Sequence, residues 1–576
     1  MTKEQNSKIN EGRRKTLKYL YGISLLSVSG CNSCLKSRPD PQIKYDQLKL
    51  TPELTYLQPI SSKQHIKSTN YCIDVHAHFF NASDVNVKGY VEGPIARTLP
   101  SGLLHKLARS MAGVLHVLSS SIAPSAAAEY NILVTLPEDE DFYSKDASQR
   151  RKILQDLAEQ NQNTVTKALY DEMLKQKVDA DYMKALKDYR AEAGLSLKSK
   201  QEFSLELIRE SIDLDKRSQE YVSLAVKQQI KAMELDPRGL IEFCIHMLSP
   251  RWVTLLYYQD QYTNSQDSFG VDAVFGSLVD FDYWLDCIPP SSREDQMKLH
   301  SLLSKITGGY MLPIISYNPW TDIKHDDASF KLLKTAIEDY GFIGVKIYPA
   351  NGFYPYGNTE ISNDTSQRRP NLELLDEKLS QMFAWCAKQR IPVMAHTSES
   401  MGSDDASDQF GGPVGWNKLL DKFKEDDLPV INAGHFGGDE AGEGEITNWT
   451  AEFGKIMKLE QGKYFYGDLG YWSKLEQCGE DCEAKQRIRQ ALKESNNIAD
   501  KRIMYGTDWL MSSKEANWQD YPEKLQKQLD GILNLEKFFY KNALECFGLN
   551  KGGAQREKIE KLFIDQTGGL PNWLEG

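Results

Sequence analysis

Residues Tyr71–Asn81 read YCIDVHAHFFN: an apolar run, Asp74, then two histidines at alternate positions, His76 and His78. In an extended strand residues i and i+2 face the same way, so both imidazoles project together at the strand's end, where two nitrogens can grip one metal ion. Such a pair is half of a site, and the same pattern also arises as a satisfied core pair without an ion. The other ligands of a metal site have to come from elsewhere in the chain.

Working outward, the clearest order begins at residue 272. Apolar strands are expected at Asp272–Val279, Tyr310–Ser316, Gly341–Tyr348, Ile391–Ala395, Pro429–Ala433, Tyr464–Leu469 and Arg502–Tyr505. Helical stretches separate them, among them Phe330–Tyr340, Leu372–Lys388 and Ile446–Leu459. The last four strands start between 35 and 38 residues apart, the length of one βα unit, and such units need parallel pairing with right-handed crossovers. With the His-x-His strand there are eight. The sequence therefore predicts an α/β fold, a closed (β/α)8 TIM barrel with its chemistry at the C-terminal ends of the strands.

Ligand-type residues stand at those ends. Lys346 lies in GVKIYP, His396 in PVMAHTSES, His435 in VINAGHFGG and Asp508 in MYGTDWL. Of the ten histidines, the six outside this pattern (His65, His105, His116, His246, His300 and His325) fall in loops or helical stretches. Tyr348 and Trp509 come just past strand ends, where aromatic rings can line a substrate pocket.

The ordered set of His-x-His, Lys, His, His and Asp on strands one, four, five, six and eight resembles the amidohydrolase superfamily of metal-dependent barrel enzymes. The resemblance covers residues 70–550 and is strongest to the amidohydrolase-related (amidohydrolase 2) branch, which holds hydrolases and non-oxidative decarboxylases. NALECFGL, Asn542–Leu549, is similar to that branch's closing helix, and VKIYPAN, Val345–Asn351, to the fourth-strand segment of dihydroorotases, whose lysine is carboxylated. The resemblance implies one of two arrangements. With one metal, His76, His78, His396 and Asp508 hold it, His435 polarises substrate or shuttles a proton, and Lys346 is an ammonium that pairs with a substrate carboxylate or a neighbouring acid. With two metals, His76, His78 and Asp508 hold the first, His396 and His435 the second, and a carboxylated Lys346 bridges them. Imidazole and carboxylate ligands suit zinc first, with manganese or iron as alternatives. Asp508, beside both metal and water, is the implied general base, and His435 the implied oxyanion stabiliser or proton donor. The expected reaction is hydrolysis of an amide, lactone or ester of a small molecule. The alternatives are non-oxidative decarboxylation of an aromatic or unsaturated acid on the same site, and a barrel that binds its ligand without turnover.

The chain has 576 residues, 40% hydrophobic and 26% charged, which is ample for a large core. A net charge of -12 argues against a nucleic-acid partner and for a small-molecule one; it leaves the oligomeric state open. The first residues read as an address. RRKTLK at 13–18, the short apolar segment Tyr19–Gly30 and Val28-Ser29-Gly30-Cys31 resemble a twin-arginine lipoprotein signal with a lipobox. This resemblance implies export, lipidation of Cys31 and a membrane anchor without a spanning helix, on the periplasmic or cell-envelope side. Residues 32–70, polar and dotted with proline, read as a tether to the barrel at 71–550. Residues 145–235 carry apolar residues at helical spacing and read as a helical insertion after the first strand, either a solvated hairpin or a cap on the active-site mouth. Residues 551–576 form a C-terminal extension. Of the nine cysteines, Cys72, Cys244, Cys386 and Cys546 sit singly in apolar runs as buried thiols, whereas Cys478 and Cys482 flank GED in a polar loop suited to a short disulfide.

Overall fold

The computed structural model describes residues 55–59, 71–90, 113–136, 142, 144–176, 237–263, 270–283, 285, 288–361, 371–398, 409–439, 448–515, 518–567 and 570–575. Eight parallel strands form one sheet in chain order. They are β1 (Ile73–Ala77), β2 (Ala273–Ser277), β3 (Met311–Ser316), β4 (Gly344–Ile347), β5 (Val393–His396), β6 (Ile431–Gly434), β7 (Phe465–Asp468) and β8 (Ile503–Met504). The Val75 amide donates to the Tyr505 carbonyl at 3.1 Å and the Asp508 amide to the His76 carbonyl at 2.7 Å, which joins the last strand to the first and makes the sheet a (β/α)8 barrel.

Alternation along the strands sorts the core into two layers. Val274, Ile315, Val345, Val393, Ala395, Ile431, Ala433 and Phe465 face the surrounding helices. Ile73, Val75, Phe275, Leu312, Ile314, Met394, Tyr466 and Met504 fill the barrel interior. One residue further along the inward rows, the interior turns polar: Ser277, Ser316, Lys346, His396 and Asp468 take over at the C-terminal ends. The lower end is closed by the chain's last helices, Arg556–Thr567 and Asn572–Glu575. Their Ile559, Phe563, Trp573 and Leu574 join the same cluster as Ile73 and Val75. Trp573 also donates its indole N–H to the Gly309 carbonyl at 3.1 Å.

The helices that precede β2 surround the segment after β1. They are α1 (Ala126–Thr135), α2 (Ala147–Lys175), α3 (Pro237–Leu248) and α4 (Arg251–Thr263). The Asp146 side chain caps the start of α2 in a reciprocal capping box with Gln149. Arg251, fully buried at the start of α4, reaches Asp84 at 2.8 Å and Glu129 of α1 at 2.9 Å, so a buried ion network pins the chain leaving β1. The helix of α2 falls in the stretch expected to be a helical insertion; residues 177–236 of that stretch lie outside the described residues, as do the signal, Cys31 and all but 55–59 of the tether. Among the described residues, no helix is long and apolar enough to cross a membrane. Cys478 and Cys482 form a disulfide, with Cα atoms 5.7 Å apart, and Cys72, Cys244, Cys386 and Cys546 are buried free thiols.

Candidate metal centre

The first strand does not present its histidines by simple alternation. Ile73 and Val75 point into the barrel and Ala77 points outward, so a regular strand would send His76 to the outer side. The pairing instead shifts between Asp74 and Ala77: Asp74 stands opposite Val274, but Ala77 stands opposite Gly276, one residue short. This bulge places one extra residue in β1 and turns both His76 and His78 to the interior. Asp74 holds the irregular backbone by accepting from the His76 amide (3.0 Å), the Thr507 amide (3.0 Å), the Thr507 hydroxyl (2.6 Å) and the Tyr258 hydroxyl (2.6 Å).

His76, His78 and Asp508 then form a buried group whose ligand atoms all lie within 4.8 Å of one another. The Asp508 carboxylate is 3.5 Å from His76 Nε2 and 3.3 Å from His78 Nε2. Each imidazole is fixed by its other nitrogen. His76 Nδ1 donates to Asp468 at 2.8 Å, and His78 Nδ1 donates to the Ser277 carbonyl at 3.0 Å. Both Nε2 atoms therefore carry lone pairs beside a carboxylate that also offers lone pairs, an arrangement a divalent cation satisfies; without one, His76 Nε2 meets the Lys346 ammonium at 3.0 Å. Burial, then the charge of Lys346, holds His76 well below the ordinary imidazole range, so it is neutral as a ligand must be. Burial would raise the Asp508 carboxyl, but His78, His435 and His76 outweigh it and keep it well below the usual carboxylate range. The donor set fits a zinc-type ion, or manganese or iron.

Asp468 is the hub beneath this group. Besides His76 it accepts from the Asn432 side chain (2.8 Å), the Gly470 amide (3.0 Å) and the His435 amide (3.2 Å). The surrounding backbone is cut close to the His76 ring: a Cβ on Gly470 would stand 2.7 Å from its Nδ1, and one on Gly506 2.8 Å from its Cβ. Asp508 and His435 are both left-handed, with φ of 53° and 67°, a conformation that costs roughly 1–3 kcal/mol for a residue other than glycine and concentrates at functional sites.

His396 and His435 are placed as a pair rather than at the three-member group. His435 Nδ1 donates to the Gly470 carbonyl at 2.8 Å, which leaves Nε2 to accept from His396 Nδ1 at 3.0 Å, and Ser398 Oγ meets His396 Nε2 at 3.1 Å. The His435 ring lies 4.6 Å from the His76 ring, so the pair adjoins the group. Lys346 is fully buried, with Nζ 3.0 Å from His76 Nε2 and 5.1 Å from the centre of the Tyr348 ring. Burial pushes it down to about 8, against the pull of Asp468 and Asp508. Tyr348 also faces the His396 ring at 6.0 Å and the His78 ring at 6.4 Å, a position over the site. Trp509, expected to line a pocket, has no exposed surface; its ring is enclosed by His246, Tyr257, Tyr258 and Trp518. Its carbonyl, which accepts from the His78 amide, is the part that serves the site.

Sequence reasoning missed Asp468, Asn432 and the Ser277 carbonyl. Asp468 ends the strand in YFYGDLG, so the criterion that selected His396 and His435, a ligand-type residue at a strand's C-terminal end, holds for it too.

Residues 316–549, from the end of β3 past the last barrel helix, match the family model described as amidohydrolase. No curated protein compared with the chain matches it. Among solved structures it is similar to an amidohydrolase from Burkholderia multivorans with bound zinc, at a TM-score of 0.30 and 11% identity over 48% of this chain and 83% of that one. It is also similar to a probable 2-pyrone-4,6-dicarboxylic acid hydrolase from Acinetobacter baumannii with citric acid bound, at 0.32 and 12% over 51% and 88%. A third is a 2,6-dihydroxybenzoate decarboxylase complexed with 2,6-dihydroxybenzoate, at 0.29 and 15% over 51% and 87%.

Proposed function

We propose that this chain is a metal-dependent hydrolase that activates water against an amide, lactone or ester bond of a small molecule. The observation that carries the proposal is the convergence of two Nδ1-fixed imidazoles and one ionised carboxylate on a single point inside the barrel's C-terminal end. The amidohydrolase match over residues 316–549 supports the same class.

His76, His78 and Asp508 would hold the ion. A divalent ion so bound lowers the pKa of water from about 15.7 towards about 7 and polarises a carbonyl. Asp508, ionised at neutral pH and set among the imidazoles, takes the proton from the attacking water. His435, fixed through Nδ1 on the Gly470 carbonyl, has Nε2 turned to His396 Nδ1, and that nitrogen would take up a proton and hand it to the leaving group. Lys346, the cation at the centre of the site, stabilises negative charge on the former carbonyl oxygen. Its amine, pushed down to about 8, also makes the carboxylated, two-metal form accessible. We further propose, from RRKTLK and VSGC alone, that the protein is exported and anchored by lipid on Cys31.

The test is metal content per chain in wild type and Lys346→Ala, together with turnover of a panel of esters, lactones and amides. About one ion that survives the substitution supports the three-ligand site; two falling to one or none supports a bridging lysine. No bound ion in either protein after reloading with zinc or manganese overturns the proposal, and loss of carbon dioxide from aromatic acids without hydrolysis replaces it with decarboxylation.

A further inference from the structure

The turn after β7 fixes two of the site's imidazoles through a single residue. The Gly470 amide donates at 3.0 Å to Asp468, the carboxylate that holds His76, and the Gly470 carbonyl accepts from His435 Nδ1 at 2.8 Å. Both tautomers therefore depend on Gly470 staying where it is. Its own chemistry does not keep it there. It has no side chain to anchor, and its neighbour Tyr471 is left-handed, with φ of 55°, a conformation that costs energy for a residue other than glycine. The shape of the turn has to be held from outside.

One hydroxyl spans it. Tyr521, 2% exposed, opens the helix Tyr521–Leu529 that follows β8. Its Oη donates to the Leu469 carbonyl at 2.7 Å and accepts from the Trp472 amide at 2.9 Å, so it bridges the residue before Gly470 and the second residue after it. Trp472 extends the hold. Its buried indole N–H donates to the His435 carbonyl at 2.8 Å, which steadies the left-handed backbone of the same histidine whose ring Gly470 fixes. Tyr471 is tied separately, its hydroxyl donating to Glu515 at 2.5 Å, but that bond holds the side chain and not the peptides on either side of Gly470. Removing the Tyr521 hydroxyl would leave a buried carbonyl and a buried amide without their partner, and the turn would shift to satisfy them.

We infer that Tyr521 is a positioning residue of the metal centre: through Gly470 it keeps Asp468 and His435 where they fix the site's imidazoles. The inference deepens the proposed hydrolase and rests on that reading for the bound ion, while the clamp itself is read from the backbone alone.

The experiment compares full-length wild type, Tyr521→Phe and Tyr540→Phe, each loaded with cobalt(II). Tyr540 donates its hydroxyl to the Trp573 carbonyl at 2.6 Å at the barrel's lower end, so its variant loses a buried hydroxyl of the same kind away from the site. Phenylalanine keeps the ring and its packing in both, and circular dichroism checks that both fold. In Tyr521→Phe, cobalt affinity by chelator competition should fall by about tenfold, as for loss of a group that supports a ligand from behind. The visible cobalt spectrum should change shape, and the amides of residues 469–472 should exchange faster with deuterium. Tyr540→Phe should match wild type in all three. Wild-type affinity and spectrum in Tyr521→Phe, or the same changes in Tyr540→Phe, overturn the positioning role. A wild type that binds no cobalt overturns the hydrolase, and the clamp is then refuted if exchange at 469–472 is no faster in Tyr521→Phe.

Discussion

At the scale of single residues, the site is decided by what fixes His76 and His78 rather than by the two imidazoles alone. Asp468 selects the His76 tautomer that exposes Nε2, and Asn432 and two backbone amides hold Asp468 in turn. Asp468→Asn keeps the volume but can present an N–H to Nδ1, which favours the wrong tautomer. Metal affinity should fall by about 10–100-fold with the fold intact, measured by competition with a chromophoric chelator. Asp508→Asn should abolish turnover while circular dichroism stays unchanged. The sequence displayed His76, His78, Lys346, His396, His435 and Asp508 by strand-end position, but not which nitrogens are free. That depends on carbonyls such as those of Ser277 and Gly470, which every residue possesses and no motif marks.

At the scale of elements, β1 shows how far periodicity reaches. Alternation correctly located a strand with two histidines on one side, and the βα spacing located β2 to β8. It could not show that a bulge between Asp74 and Ala77 is needed to put that side inward, because one added residue leaves the composition of a strand unchanged. β8 is also shorter than its apolar run, two residues, since the chain leaves the ladder early to turn Asp508 into the site. Helices α1, α3 and α4 lie in a stretch where aromatic and polar residues mix and no clean periodicity marks them, and Arg251 ties α4 to α1 and to the segment after β1. The last two helices are a further case: length and sequence mark 551–576 as an appendage, yet Trp573 is buried in the cluster that fills the barrel's lower end. Trp573→Ala should cost about 3–5 kcal/mol of stability, read from urea unfolding, with metal content per folded chain unaltered.

At the scale of the whole molecule, acid should weaken the fold before it discharges the surface carboxylates. His300 is fully buried on the helix after β2, with Nδ1 on the Gln296 carbonyl at 3.0 Å and Nε2 unpartnered. Burial lowers it to about 4, against an ordinary value of 6.5. The unfolded chain therefore binds the proton more readily, and stability present above pH 6.5 is lost as pH falls towards 4, by up to about 3 kcal/mol. His300→Gln should flatten that part of the curve in thermal melts taken across this range. The barrel's seam has a consequence for how the protein is made. Thr507 bonds to Asp74 across 433 residues of chain, and the same seam brings His76 and His78 to Asp508. During synthesis the first strand must wait, unpaired on one edge, until almost the entire polypeptide has left the ribosome. Metal capture by the proposed site would then report that translation and closure are complete, and a chain truncated before Asp508 would be left without the clasp that distinguishes finished from unfinished molecules.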